Sequence, residues 1–484
     1  MRYPEVQNYI DGRFKAGGNG SLEVYCPLDG EVISYVPLST PHDLDQAVTV
    51  ARRAFPGWSG QTIKERVQVF YCYKTLLEQN KEQLACLVQE ENGKTMDEAI
   101  AEVEKSAEVA EFACSLPQLI GGWVLEVSPG VECREERYPL GVVASITPFN
   151  FPIMVPNWTI PIMLALGNTM VLKPSEQVPL GAGRIAELLA QSGLPPGVFN
   201  VVNGDRTVVE AICDHPDIQA LSFVGSTRVA RAVYKRATSN LKRALCMGGA
   251  KNHLVVLPDA DEVLTAENVV ASFTGCAGQR CMAAAVLVAV GDVDHIIKRI
   301  CEEAGSIVTG EDLGAIISQQ AKERIVDCIT EAIEEGAEPL LDGRKEIVTG
   351  RENGYYLSPT IIDEVRPEMK IAREEVFGPV LVIVRVKDID EALALENRSP
   401  YGNAAAIYTG SGGMARYFSQ RAGAGMIGVN IGVPVPREPF SFGGWNQSRF
   451  GIGDITGRSS IEFWTRLKKT TTKWSREAGV NWMS

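Results

Sequence analysis

A cysteine set among small residues is the clearest sign of chemistry in this chain. The segment Phe273-Thr-Gly-Cys-Ala-Gly-Gln-Arg-Cys281 leaves the sulfur of Cys281 unscreened, so a bulky cofactor and an electrophile can both approach it. A thiolate is a strong nucleophile, and a neighbouring cation such as Arg280 favours the ionised form. Gly and Ala also permit plain close packing, so the segment gains its weight from two others, Thr147-Pro-Phe-Asn-Phe-Pro152 and Glu374-Glu-Val-Phe-Gly-Pro379. Asn150 sits just past a strand-like run, Gly141-Val-Val-Ala-Ser-Ile146, where a sheet presents side chains to its ligand crevice. Its amide can donate to a developing oxyanion alongside the backbone N–H of Cys281, and one such donor is worth roughly 3 kcal/mol of barrier. The competing reading is a turn-forming Asn before a Pro-containing loop.

Two further segments suit a nucleotide. Lys173-Pro-Ser-Glu176 follows the strand-like Thr169–Leu172, and Lys173 and Glu176 could both hydrogen-bond ribose hydroxyls or form a plain solvated pair. A carboxylate at Glu176 would repel a 2′-phosphate, which favours NAD over NADP. Phe223-Val-Gly-Ser-Thr227 opens a helix pattern whose N-terminal amides suit a pyrophosphate. Glu91-Asn-Gly-Lys-Thr95 echoes a phosphate loop, but position 88 is Val where that loop needs Gly. His42, His215, His253 and His295 are scattered, and Cys276 and Cys281 lack the partners of a zinc site, so no metal is expected.

The elements that must hold these residues follow from the pattern. Short strands alternate with turn signals to about Ser39, and helical spacing runs from Pro41 to about Leu116. Strands and helices then alternate: 141–146, 169–172, 199–202 and 220–224 read as buried strands, with a helix over Leu180–Ser192 between them. A second alternating region runs from near Asn252 to about Val429. Such alternation implies an α/β fold, parallel sheets with helices on both faces. Val124–Arg137 and Ile461–Thr472 fit neither layer and read as strands with edges for a partner to cover.

The whole is 484 residues long, 45% apolar and 22% charged, which suits a multidomain globular enzyme. A net charge of −13 argues against nucleic acid as the main partner. Neither a leader pattern nor an apolar run long enough for a bilayer is legible, so no membrane partner and a cytoplasmic address are expected. Eleven cysteines are too sparse for a disulfide scaffold.

The three segments around Asn150, Cys281 and Glu375, in this order, resemble the aldehyde dehydrogenase superfamily over nearly the whole chain. The resemblance implies a Rossmann-type NAD domain (1–123 and 142–248), a second α/β catalytic domain (249–447) and a β oligomerisation arm (124–141 and 461–473). It implies a homo-oligomer, dimer or tetramer. It assigns Cys281 as nucleophile and Asn150 as oxyanion donor. NAD would rest on Thr147, Phe149, Lys173, Ser175, Glu176, Gly225 and Ser226, with Glu375 and Phe377 at the nicotinamide end. The family usually has a second Gly five residues after Gly225, and this chain has Ala230.

One departure bears on the fate of the acyl group. Hydrolytic members carry Glu-Leu-Gly-Gly-Lys where this chain has Met247-Gly-Gly-Ala-Lys251, and their Glu activates water. Methionine cannot take a proton, so a thioester here would await a thiol. Gly249-Ala-Lys-Asn-His253, Gly278-Gln-Arg-Cys-Met-Ala283, Phe149–Trp158 and Phe440–Gly444 resemble the methylmalonate-semialdehyde dehydrogenase branch, which is acylating and uses coenzyme A. That branch grips its substrate carboxylate with two arginines. One matches Arg280; the other falls on Lys105, which keeps the charge but loses the planar fork. Asn157 replaces an apolar residue, and either makes the site more polar or points away from it. A hydrolytic enzyme using Glu375 or another carboxylate, and an inactive NAD-binding homologue, are the alternatives.

Overall fold

The computed structural model describes residues 1–474. Its largest sheet has eight strands. At its centre lies Val142–Ile146, flanked on one side by Thr169–Lys173 and Phe199–Val201 and on the other by Ile218–Val224 and Arg243–Met247, all parallel. Chain order therefore reverses beside Val142–Ile146. At such a switch point the loops leave in opposite directions and open a crevice at the strand C-termini. Thr147, Lys173 and Gly225 lie at those ends.

Both faces of this sheet are covered, as the unbroken apolar strands require. Val143, Met170 and Leu172 pack into one apolar cluster, while Val142, Ala144, Ile146 and Val171 pack into another on the opposite side. The second large sheet has seven strands and the same logic. Asn252–Val256, Ala284–Val290, Thr360–Asp363, Val380–Val386, Ala404–Tyr408 and Met426–Val429 are parallel, and Glu338–Leu341 is an antiparallel edge. Val255 faces one cluster, Leu254 and Val256 the other.

The predicted helical stretch resolves into four helices, Pro41–Ser59, Ile63–Gln79, Lys81–Asn92 and Met96–Leu119. Thr40, Thr62 and Thr95 start three of them with reciprocal capping boxes, which satisfy free N–H groups at each N-terminus. Trp123–Ser128, Val131–Pro139 and Thr465–Lys473 form a separate antiparallel three-stranded sheet. The strand expected from Ile461 begins only at Thr465. Residues Gly457–Phe463 are helical, because Ser460, Ile461 and Phe463 turn inward together and Arg243 holds the carbonyls of Glu462 and Phe463. Among the described residues no helix is long and apolar enough to cross a membrane.

Candidate active site

A cleft of about 1260 Å³ opens at the switch point of the first sheet and runs toward the second. Its wall contains Thr147, Phe149, Asn150, Lys173, Ser175, Glu176, Gly225, Ser226, Cys281, Glu375 and Phe377. Residues from five sequence segments thus face one space. Lys105 and Arg280 are not on this wall.

Cys281 follows a strained turn. The helix Glu262–Thr274 ends, and Cys276, Ala277 and Gly278 take φ of 55°, 51° and 68° in succession. Non-glycine residues in this region cost about 1–2 kcal/mol each, and such strain collects at functional sites. Gly278 is needed because a Cβ there would run into the carbonyl oxygen of Gly378, which neighbours Phe377. Phe377 itself has φ 57°. The Cys281 carbonyl accepts from the side-chain amides of Asn252 and Asn403, each at 2.8 Å. Sequence reading missed both, although Asn252 stands in the quoted Gly-Ala-Lys-Asn-His run.

Asn150 Nδ2 donates to the carbonyl of Gln279 at 2.9 Å, two residues before Cys281. An amide nitrogen carries two N–H groups, so one remains for a ligand. Gln279 is anchored in turn, donating to Ala315 at 3.1 Å and accepting from the Ile317 N–H at 3.0 Å.

Burial pushes the Cys281 thiol up to about 12, and the carboxylate of Glu375 adds to the rise. The loop N–H and Arg280 act the other way but are outweighed. Arg280 favours the ionised form, as expected, but weakly, because its guanidinium turns back to the carbonyls of Ala271 and Ser272 near the C-terminus of the preceding helix. Glu375 is itself raised to about 7, chiefly by burial, against the pull of the Ala250 N–H, Lys251 and Arg324. Gly249 makes room for it, since a Cβ there would strike the carboxylate.

The far end of the cleft fits a dinucleotide. Gly225, Ser226, Arg228 and Val229 bring the N-terminus of the helix Thr227–Ser239 to the wall. Ser226 makes no side-chain capping bond, so the first amides of that helix are available to an anion. Ala230 is fully buried in an apolar cluster beneath and is not on the wall, so its methyl does not narrow the cleft. Lys173 is buried and pairs with Glu176 at 2.6 Å. Arg324, absent from the sequence expectations, also reaches the wall and donates to the Val376 carbonyl at 2.7 Å.

Three expected features lie elsewhere. Lys105 pairs with Glu438 at 2.7 Å and Glu108 at 2.9 Å. Asn157 is fully buried, accepting from the Tyr73 hydroxyl at 2.8 Å and donating to the Ile153 carbonyl at 2.9 Å. The reading in which it makes the site more polar is overturned: its side chain is consumed between two helices. Met247 is buried among apolar residues at the end of its strand, so no carboxylate occupies that position.

Comparisons with known proteins agree with this architecture. Residues 14–470 match the aldehyde dehydrogenase family. Malonate-semialdehyde dehydrogenase 2 of Bacillus thuringiensis (strain Al Hakam) is 45% identical over 480 residues, covering 97% of this chain and 98% of that one. Malonate-semialdehyde dehydrogenase 1 of Geobacillus kaustophilus (strain HTA426) is 44% identical over 476 residues, 97% of each. Among solved structures, a protein assigned as a methylmalonate-semialdehyde dehydrogenase from Sinorhizobium meliloti 1021, complexed with NAD, superposes with a TM-score of 0.97 at 42% identity over 99% of both chains. The methylmalonate-semialdehyde dehydrogenase of Oceanimonas doudoroffii gives 0.97 at 39% identity, over 98% of this chain and 99% of that one. With its cysteine cleft at a sheet switch point and these relatives along its whole length, the chain belongs to the aldehyde dehydrogenase family.

Proposed function

We propose that this protein oxidises a short anionic aldehyde of the malonate- or methylmalonate-semialdehyde kind with NAD, and passes the acyl group from Cys281 to coenzyme A. The observation that carries the reading is a single cleft with Cys281 and Asn150 at one end and an open helix N-terminus at the other. The names of the relatives support the substrate class. The Cys281 sulfur adds to the aldehyde carbon, and the Asn150 amide with the Cys281 N–H stabilises the oxyanion. NAD bound here would supply the hydride acceptor as the Cys281 adduct becomes a thioester. Lys173, Ser175 and Glu176 would hold a ribose, Gly225 and Ser226 the pyrophosphate, and Glu375 and Phe377 the nicotinamide end, with Thr147 and Phe149 beside them. Arg280 and Lys105 are the proposed carboxylate partners; each must exchange its present protein partner for substrate.

Coenzyme A then attacks the thioester carbon and the Cys281 sulfur leaves. In sum, aldehyde, NAD and coenzyme A give acyl-coenzyme A, NADH and a proton. The lack of a carboxylate at Met247 supports a thioester that water attacks slowly. Glu375 favours the second reading, hydrolysis, because a carboxyl near 7 on the same wall suits a base for water. Stopped-flow measurement of NADH separates the two. Without coenzyme A, one burst per active site and a slow phase are expected, with the slow phase accelerating on its addition. Rapid steady turnover to free acid without coenzyme A would establish the hydrolytic route instead. The proposed address is cytoplasmic. The proposed assembly is a dimer or tetramer joined through the arm at 124–141 and 461–473, beside a NAD domain (1–123 and 142–248) and a catalytic domain (249–447).

A further inference from the structure

The segment Glu91–Thr95, which does not qualify as a phosphate loop, is occupied with the two catalytic loops. Asn92 Nδ2 donates to the Phe149 carbonyl at 2.9 Å. The buried Lys94 ammonium donates to the Asn150 carbonyl at 2.6 Å and to Glu102 at 2.5 Å, and lies 3.8 Å above the Phe151 ring. The other oxygen of Glu102 accepts from the N–H groups of Ile153 and Met154 at 2.8 and 3.0 Å. One turn earlier on the same helix face, Glu98 divides its carboxylate. One oxygen caps the Thr95 N–H at 3.2 Å, and the other accepts from the Cys276 N–H at 2.5 Å, within the left-handed turn that leads to Cys281.

We infer that Lys94, Glu98 and Glu102 are positioning residues that dock the Asn150 loop and the Cys281 loop on one face of the helix Met96–Leu119, and so set the spacing of oxyanion donor and nucleophile. None of the three lines the cleft. Their action passes through backbone groups of the loops, which explains how two loops from different sheets meet at the single bond from Asn150 to Gln279. A buried ion pair adds little net stability but fixes geometry when each charge has all its partners, as Lys94 and Glu102 do. Displacing reacting groups by about 1 Å can cost on the order of 100-fold in rate.

The inference rests on the roles proposed for Cys281 and Asn150, and a double-mutant cycle separates the two. Lys94→Met and Glu98→Ala are each made alone and with Asn150→Ala, with Lys94→Arg as a second variant should the methionine not fold. Asn150→Ala alone should lower kcat by about 100-fold or more. Lys94→Met should lower kcat about tenfold to 100-fold in the parent, but only about twofold once Asn150 is absent, because its effect runs through that amide. Glu98→Ala should lower kcat about tenfold and slow Cys281 alkylation, with KM and NAD affinity within about twofold, and Glu98→Gln should restore most of the loss through its amide oxygen. Full additivity of Lys94 with an impaired Asn150→Ala enzyme, or equal losses in Glu98→Ala and Glu98→Gln, overturns the inference and leaves the catalytic roles intact. An Asn150→Ala enzyme near parental activity removes the role of Asn150 and the inference together.

Discussion

At the scale of single residues, the nucleophile is the group whose environment most opposes its task. Burial first and Glu375 second hold the Cys281 thiol neutral near pH 7. Alkylation of the cofactor-free enzyme should therefore climb by about tenfold per pH unit between pH 8 and 10 without levelling, since only the thiolate reacts. Glu375→Gln removes a like charge and should shift that curve to lower pH, giving several-fold faster alkylation above pH 7. Below about 7 the parental carboxyl is itself protonated, so the difference should vanish there. A plateau near neutral pH in the parent would mean that Arg280 governs the thiol after all. That Cys281, Asn150 and Glu375 share one wall was legible because the three short segments that carry them, in their order, resemble a family. Glu98, Lys94 and Asn403 were not, since they act on residues far along the chain. Arg280 and Lys105 were read for charge, but spacing does not say which way a long side chain turns.

At the scale of elements, tight turns fix the site together with the helix that holds its loops. Gly278 allows the loop before Cys281 to approach the Gly378 carbonyl at a φ of 68°. Gly278→Ala adds about 1–2 kcal/mol of backbone cost and a contact against backbone that no rotamer can relieve. The loop should open, lowering turnover by about tenfold or more with only a modest fall in the unfolding midpoint. Parental turnover in this variant would show that the close approach is not needed. Repeated apolar strands revealed the two sheets, because both faces are buried and the runs are long. The end of the chain was harder. Ile461-Glu-Phe-Trp464 alternates like a strand, yet Ser460, Ile461 and Phe463 are buried as a helical face, and Trp464 is fully enclosed. A short apolar run carries no period of its own, and the packing around it decided the outcome.

At the scale of the whole molecule, the three-stranded sheet leaves an unpaired edge. Every residue of Trp123–Ser128 is exposed; Trp123 is 78% and Leu125 64% accessible, with Val124 and Val127 beside them. One edge of this strand bonds to Val131–Pro139, and the other has no partner among the described residues. A long apolar edge is a template for pairing, and soluble chains cover such an edge or charge it. The sequence marked these strands as outliers from both α/β layers with edges for a partner to cover, and the sheet order shows which strand lies at the edge. A second copy of the chain is the proposed cover. Leu125→Lys puts a charge into that contact and should reduce the assembled species to a smaller one by light scattering during gel filtration. The cleft lies away from this strand, and none of its wall comes from residues 121–139. The dissociated variant should therefore keep NAD binding and its NADH burst, although its thermal stability should become less dependent on protein concentration. An unchanged mass in Leu125→Lys, or a parental protein that is already monomeric at micromolar concentration, would assign the open edge to something other than self-association.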